Sequence, residues 1–153
     1  MNISRTRGLT AMLAALLLPA CGGDYEGGDL PGDAGGGVDL PQPRIESIQT
    51  QVFDRHCISC HAGNNPSGAM GLDDAQTSHD NLVGVRAAEF PLRFRVQPGN
   101  PDDSYLVHKL EGSQAVGARM PQGGAPLSPD LIAAIRQWIA DGAPGPGEGT
   151  LLP

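Results

Sequence analysis

The sequence predicts an all-α domain of about three main helices, carried behind an export segment and a polar tether. Three observations predict it. Apolar residues recur at helical spacing in three segments, the second and third bounded by cap residues. Between and around these segments stand 22 glycines and 14 prolines in 153 residues, about twice the usual combined share, and they punctuate the chain rather than extend it. Aromatic residues amount to only 4%, so a core made from this chain alone lacks the large side chains that usually dominate burial. Something besides the chain is expected to fill it. The length suits one modest domain, not two.

Residues 1–20 have the order of an export signal: Arg5 and Arg7 in a short positive head, the apolar run Leu9 to Leu18, then the small residue Ala20. A run of ten residues is too short to span a bilayer. The run ends Leu18-Pro19-Ala20-Cys21, which resembles the cleavage box of bacterial lipoproteins, although Pro19 stands where a small or β-branched residue is usual. That resemblance implies lipidation of Cys21. Residues 21–43 continue as the lipid-bearing cysteine and a flexible acidic linker with five acids and no base, a composition that cannot offset its ordering entropy. Its root-mean-square reach is ~26 Å.

The domain is expected over residues 44–153. Ile45, Ile48, Val52 and Phe53 form one stripe of a helix beginning near Pro43 and reaching Cys57. A weaker turn of helix is expected over Gln76 to Val83. Phe90 to Val96 has some strand character, which Pro91 opposes. The second main helix starts with Asn100 as N-cap, Pro101 at N1 and two Asp in its first turn, carries Leu106, Val107 and Leu110, and stops at Gly112. The third has Ser128 as cap, Pro129 at its start, and Leu131, Ile132, Ile135, Trp138 and Ile139 on one face before Gly142.

One motif carries chemistry: Cys57-Ile58-Ser59-Cys60-His61, at the end of the first helix. Two thiols at this spacing can form thioethers to the two vinyl groups of a haem, and the adjacent His then lies under the iron as proximal ligand. Three other readings compete. A Cys57–Cys60 disulfide would close almost no loop. A redox-active dithiol wants its first cysteine at a helix N-terminus, where the dipole lowers the thiol pKa, and a helix C-terminus does the reverse. Zinc would need two further ligands, and downstream of His61 only His79 and His108 remain, with no cysteine. His56 reads as a solvated neighbour of the motif.

With CISCH, the helix PGNPDDSYLVHKL, the loop GARMP and the helix SPDLIAAIRQWIADGA in view, residues 44–143 resemble a mono-haem class I c-type cytochrome. The resemblance implies that fold, about three main helices around one covalently bound haem c attached through Cys57 and Cys60, with iron held by His61 and Met120. Met120 lies 59 residues after His61 in a Gly-flanked loop and matches the distal position. Met70, His79 and His108 are the other candidates for that place. By the same resemblance, the carbonyl that orients the His61 ring belongs to the loop at Pro66. Arg93 and Arg95 precede the VQPGNP turn, and a guanidinium fork suits haem carboxylates or a surface ion pair equally. Phe53 and Trp138 are expected to pack where the first and last helices cross.

A net charge of −7 with no basic run opposes a nucleic-acid partner, which demands phosphate neutralisation. The resemblance implies an electron-transfer protein rather than an enzyme, facing the periplasm from a bacterial cell envelope, tethered by lipid, and exchanging electrons with donor and acceptor proteins. Two alternatives remain at this point: a haem sensor or peroxidase-like protein with a labile distal ligand, and a fixed haem subunit of a larger redox complex. Lipidation at Cys21 predicts that the mature protein partitions into detergent and membranes while Cys21→Ser stays soluble or unprocessed. Mass spectrometry of the N-terminus checks it, an unmodified terminus beyond Cys21 being the contrary result.

Overall fold

The computed structural model describes residues 40–148. The export segment, Cys21 and nearly all of the acidic linker lie outside the described residues.

The first helix, α1, follows the predicted stripe and is made of three contiguous pieces: Ile45–Ile48, a π-helical Gln49–Phe53, and Asp54–His56. Ile45, Ile48, Val52 and Phe53 are all buried. The widened middle turn coincides with a polar residue held inside. Gln49 is buried, and its amide donates to the Leu72 carbonyl (2.9 Å) and to Asp54 (2.6 Å) while accepting from Ser78 Oγ (2.7 Å). Every hydrogen-bonding atom of the side-chain amide therefore has a partner, as burial requires.

The second helix, α2, spans Ala75–Leu82, and Asp74 caps it by accepting from the Thr77 N–H (2.9 Å) and the Thr77 hydroxyl (2.8 Å). Those bonds hold the Asp74 carboxyl below its ordinary pKa. The sequence predicts only a weaker turn over Gln76 to Val83, and the helix found there buries a single apolar side chain, Leu82. The cap and the buried Ser78–Gln49 bond supply what so small an apolar face lacks.

No strand forms over Phe90 to Val96. Two isolated bridges take its place, a parallel one between Val83 and Val96 and an antiparallel one between Arg86 and Phe94. The physical reason is the tight reversal around Pro91, in which Phe90 N–H donates to Ala87 and Arg93 N–H to Phe90, leaving only a few residues to pair.

The helix expected from Asn100 is broken. Asn100 caps a 3-10 turn, Pro101–Asp103, then Ser104 is extended (φ −84°, ψ 117°) and α3 runs Tyr105–Glu111 to a left-handed Gly112 (φ +82°). Ser104 Oγ donates to Asn100 O (2.9 Å) and accepts from Gln97 N–H (2.9 Å), drawing the backbone out of helical register. The orphan N–H groups at the start of α3 are taken by neighbouring carbonyls instead, Tyr105 by Phe94 and Leu106 by Arg95 (both 2.9 Å).

The fourth helix, α4, spans Pro129–Ala140 with Ser128 as its cap, as predicted. Ile135, Trp138 and Ile139 are fully buried, and the Trp138 indole donates to Pro144 O (3.0 Å). Phe53 and Trp138 belong to one core cluster, in which α1 packs against α4. Ile135→Ala should destabilise the folded protein by about 2–5 kcal/mol through lost burial and the cavity left behind. Leu92→Ala, at a side chain 80% exposed, should fall within about 0.5 kcal/mol of the parent. Denaturant titration of both variants checks the contrast.

Candidate functional site

The CISCH segment is a turn built on the end of α1. Phe53 O accepts from both Cys57 N–H (2.9 Å) and Ile58 N–H (3.1 Å), and Cys57 O accepts from both Cys60 N–H (3.1 Å) and His61 N–H (3.0 Å). Both cysteines are free thiols, Cys57 half-buried and Cys60 exposed. Burial, with a smaller contribution from Cys60, pushes the Cys57 thiol up to about 11. A thiol so raised keeps its proton at neutral pH, the opposite of what a redox-active dithiol needs.

His61 is fixed at both ends. Its carbonyl accepts from Leu72 N–H (2.6 Å), and its ring Nδ1 lies 3.0 Å from the Ser67 carbonyl. A carbonyl only accepts, so Nδ1 carries the ring proton and Nε2 keeps a free lone pair. Sequence reading placed the orienting carbonyl at Pro66, and the structure moves it by one residue. Pro66 O is occupied by Ala69 N–H (3.0 Å), which closes the 3-10 turn Ser67–Ala69 and turns the next carbonyl toward the imidazole.

A cavity of about 210 Å³ opens beside His61. Met120 lines it, 59 residues further along the chain, and so does Met70. Leu82, Ala87, Ala88 and Leu106 make the walls largely apolar, with Arg95, Glu89 and Lys109 as the charged residues at its surface. Cys57 and Cys60 do not line the cavity; they precede the residue that does. Met120 is placed by a backbone bond, its N–H donating to Lys109 O (2.8 Å), while Arg119 donates to Met120 O (3.2 Å) and Gly124 O (2.8 Å).

The remaining histidines are elsewhere. His79 Nε2 lies 3.2 Å from Ala143 O and its Nδ1 3.3 Å from Asp80, and His108 is bonded to Ser113 Oγ (2.8 Å) and Asp102 O (2.9 Å). Neither lines the cavity, and His56 is exposed.

The two arginines separate. Arg93 is not at the cavity and pairs with Asp103 (2.8 Å) and the Asp102 carbonyl (3.1 Å), so its expected role toward a haem carboxylate gives way to the surface ion pair. Asp103 attracts it because the 3-10 turn at Pro101 presents that carboxylate next to the loop carrying Arg93. Arg95 is buried at the cavity wall and donates to the carbonyls of Asn81 (2.7 Å), Gly68 (2.9 Å) and Ala69 (3.3 Å). Among the described residues it has no carboxylate partner, and burial lowers its pKa. A buried guanidinium held only by carbonyls is a place where an anionic group is favoured.

Set against the c-type haem that CISCH predicts, the residues present fit. An imidazole with a free Nε2 and a thioether side chain share one apolar cavity, an uncompensated cation lies on its wall, and two thiols precede the imidazole in a turn fixed by backbone bonds. Sequence reading missed Ser67, and it missed Lys109 and Glu89, whose ion pair lies at the cavity. A signal for Lys109 existed, since it stands four residues after Tyr105 and next to Leu110 on a face that is otherwise apolar. Compared with known proteins, the chain matches no family model, no curated protein and no solved structure.

Arg95→Leu should destabilise by about 1–3 kcal/mol, since three carbonyls lose their donor. Arg93→Ala, at a solvated ion pair, should cost about 0–1 kcal/mol. Thermal unfolding of the two variants measured side by side decides between these roles.

Proposed function

We propose that this chain is a lipid-anchored electron carrier of the bacterial cell envelope, holding one covalently attached haem c. The observation that carries the reading is the convergence of His61, the last residue of CISCH, and Met120 on one apolar cavity across 59 residues of sequence. When bound, a haem supplies reversible one-electron chemistry at its iron.

The chain's residues divide the work of holding it. Cys57 Sγ and Cys60 Sγ are the attachment points, and the doubly accepting Cys57 carbonyl keeps them in one turn. Ser67 O holds the proton on His61 Nδ1, which leaves Nε2 as the ligating nitrogen and raises its basicity. Met120 offers a neutral thioether, a ligand that favours the ferrous state. Arg95 offers a cation toward haem carboxylates, and Leu82, Ala87 and Leu106 would offer the ring an apolar wall. His61 and Met120 would both be taken up in holding the iron, which favours a carrier over an enzyme. The acidic linker after Cys21 keeps the domain near membrane-bound or periplasmic donors and acceptors at an effective concentration of roughly millimolar.

Denaturing mass spectrometry of the matured protein should retain the haem mass, and the double change Cys57→Ala, Cys60→Ala should lose it. The ferric spectrum should show a sulfur-to-iron charge-transfer band. Met120→Ala should abolish that band, lower the reduction potential and let the ferrous protein bind carbon monoxide, while Met70→Ala, His79→Ala and His108→Ala keep the parent spectrum. A Met120→Ala protein that stays low-spin with an unchanged potential and no carbon monoxide binding overturns the assignment of Met120. Band loss in Met70→Ala instead moves the thioether to Met70, the other methionine on the wall.

A further inference from the structure

Lys109 is an anomaly on α3. It is only 8% exposed, on a helix whose other buried residues are Tyr105, Val107 and Leu110. Its ammonium is ion-paired with Glu89, donates to the carbonyls of Val116 (3.3 Å) and Ala118 (3.0 Å), and stands 5.6 Å from the centre of the Tyr105 ring. Its own carbonyl accepts the Met120 N–H at 2.8 Å. One turn earlier, Tyr105 Oη donates to Val116 O (2.7 Å) and accepts from Val116 N–H (3.2 Å). Two residues of α3 therefore hold the segment 116–120 through its backbone at Val116, Ala118 and Met120.

Within the loop itself Gln114 donates to Gly117 O (3.2 Å) and Arg119 to Met120 O and Gly124 O, and the Met120 side chain rests against the edge of the core. The connection from α3 to α4 contains Gly112, Gly117 and Gly123, all at positive φ, and among the residues from Ser113 to Pro126 none is part of the buried core. Gly117 (φ +75°) is the seat of the ion pair: a Cβ there would run into the Glu89 carboxylate and lie 2.7 Å from Lys109 Nζ. A side chain at this position makes the ends of Glu89 and Lys109 shift and strains the backbone at this positive φ.

Resting on the reading of Met120 as a ligand to haem iron, we propose that Lys109, held by Glu89 and seated against Gly117, is the positioning residue that keeps Met120 on the cavity wall. The lysine acts through the backbone of the loop and not on the thioether itself. Removing its ammonium frees the carbonyl of Ala118 and leaves that of Val116 to Tyr105 alone, and the loop then exchanges its fixed arrangement for several. Met120 leaves the wall for part of the time, and a bound haem iron would then be open to an outside ligand.

Lys109→Met keeps the stem and removes the ammonium. In the holoprotein it should lose more than half of the charge-transfer band and gain carbon monoxide binding in the ferrous state. The Met120 amide should exchange with deuterium roughly tenfold faster, with the amides of α4 unchanged. Gly117→Ala should give the same three changes in smaller degree, because its Cβ displaces both ends of the pair. Glu89→Gln should give a smaller version, because the amide still accepts a hydrogen bond. Parental band, ligand affinity and Met120 exchange in Lys109→Met, alongside band loss in Met120→Ala, overturn the clamp and leave the ligand reading standing. A parent protein without the band overturns the ligand reading, and Met120 exchange in Lys109→Met then still decides the clamp. Should Lys109→Met fail to accumulate, parental behaviour of both Gly117→Ala and Glu89→Gln overturns the proposal.

Discussion

The hydrogen bonds that hold His61 organise the half of the domain around it. Its amide is tied back to Cys57 O, its ring to Ser67 O, and its carbonyl to Leu72 N–H. Each bond closes a loop of different length, so the Gly- and Pro-rich stretch after the motif has little freedom once they form. Leu72 then passes the constraint on, since its carbonyl accepts from Gln49 and Gln49 accepts from Ser78 on α2. An unbroken line of bonds therefore runs from the turn bearing the cysteines, through His61, to the second helix. A half-satisfied version of such a buried network would cost more than an apolar core, which is why the π-helical turn that places Gln49 inside α1 matters to the site.

The other half of the domain meets a different problem. The aliphatic core of Ile45, Ile48, Val52, Ile135 and Ile139 around Trp138 closes α1 against α4, but α3 and the loops at its ends face the cavity beside His61. Few large side chains are available to fill that space, and the chain commits two of its six aromatics, Phe90 and Tyr105, to a stacked pair (5.4 Å) that braces the Glu89 segment against α3. Low aromatic content and an apolar cavity are two aspects of one fact: the chain packs fully on one side and leaves room on the other.

Charge is placed against the trend of the composition. The chain is acidic overall, yet among the described residues the two buried charged side chains are both cationic, Arg95 and Lys109, and both lie at the cavity. Lys109 has a carboxylate partner and Arg95 has carbonyls alone. Burying a cation without an anion is costly, and a protein gains from it where an anionic group can complete the site. The two cations thus serve different ends. Lys109 faces inward to the chain's own loop, whereas Arg95 is left with capacity for something further.

By itself the sequence determined the elements whose causes are local. Ser128-Pro129-Asp130 started the last helix, Gly112 ended α3, and the stripe Ile45, Ile48, Val52, Phe53 gave α1 its buried face, because caps and helical periodicity act within a few residues. It also set the CISCH spacing, which is a matter of five consecutive positions. Tertiary structure decided what depends on distant partners. Ser104 left the helix to bond Gln97 and Asn100, Arg93 went to Asp103 while Arg95 turned inward, and the carbonyl at the His61 ring proved to be Ser67 rather than Pro66, since a 3-10 turn rotates successive carbonyls in ways that spacing does not reveal. The meeting of His61 with Met120 and Met70, and the burial of Lys109 against Glu89 and Gly117, belong to the same class: each joins segments brought together only by the packing of α3 and its flanking loops, and no periodicity encodes such a contact.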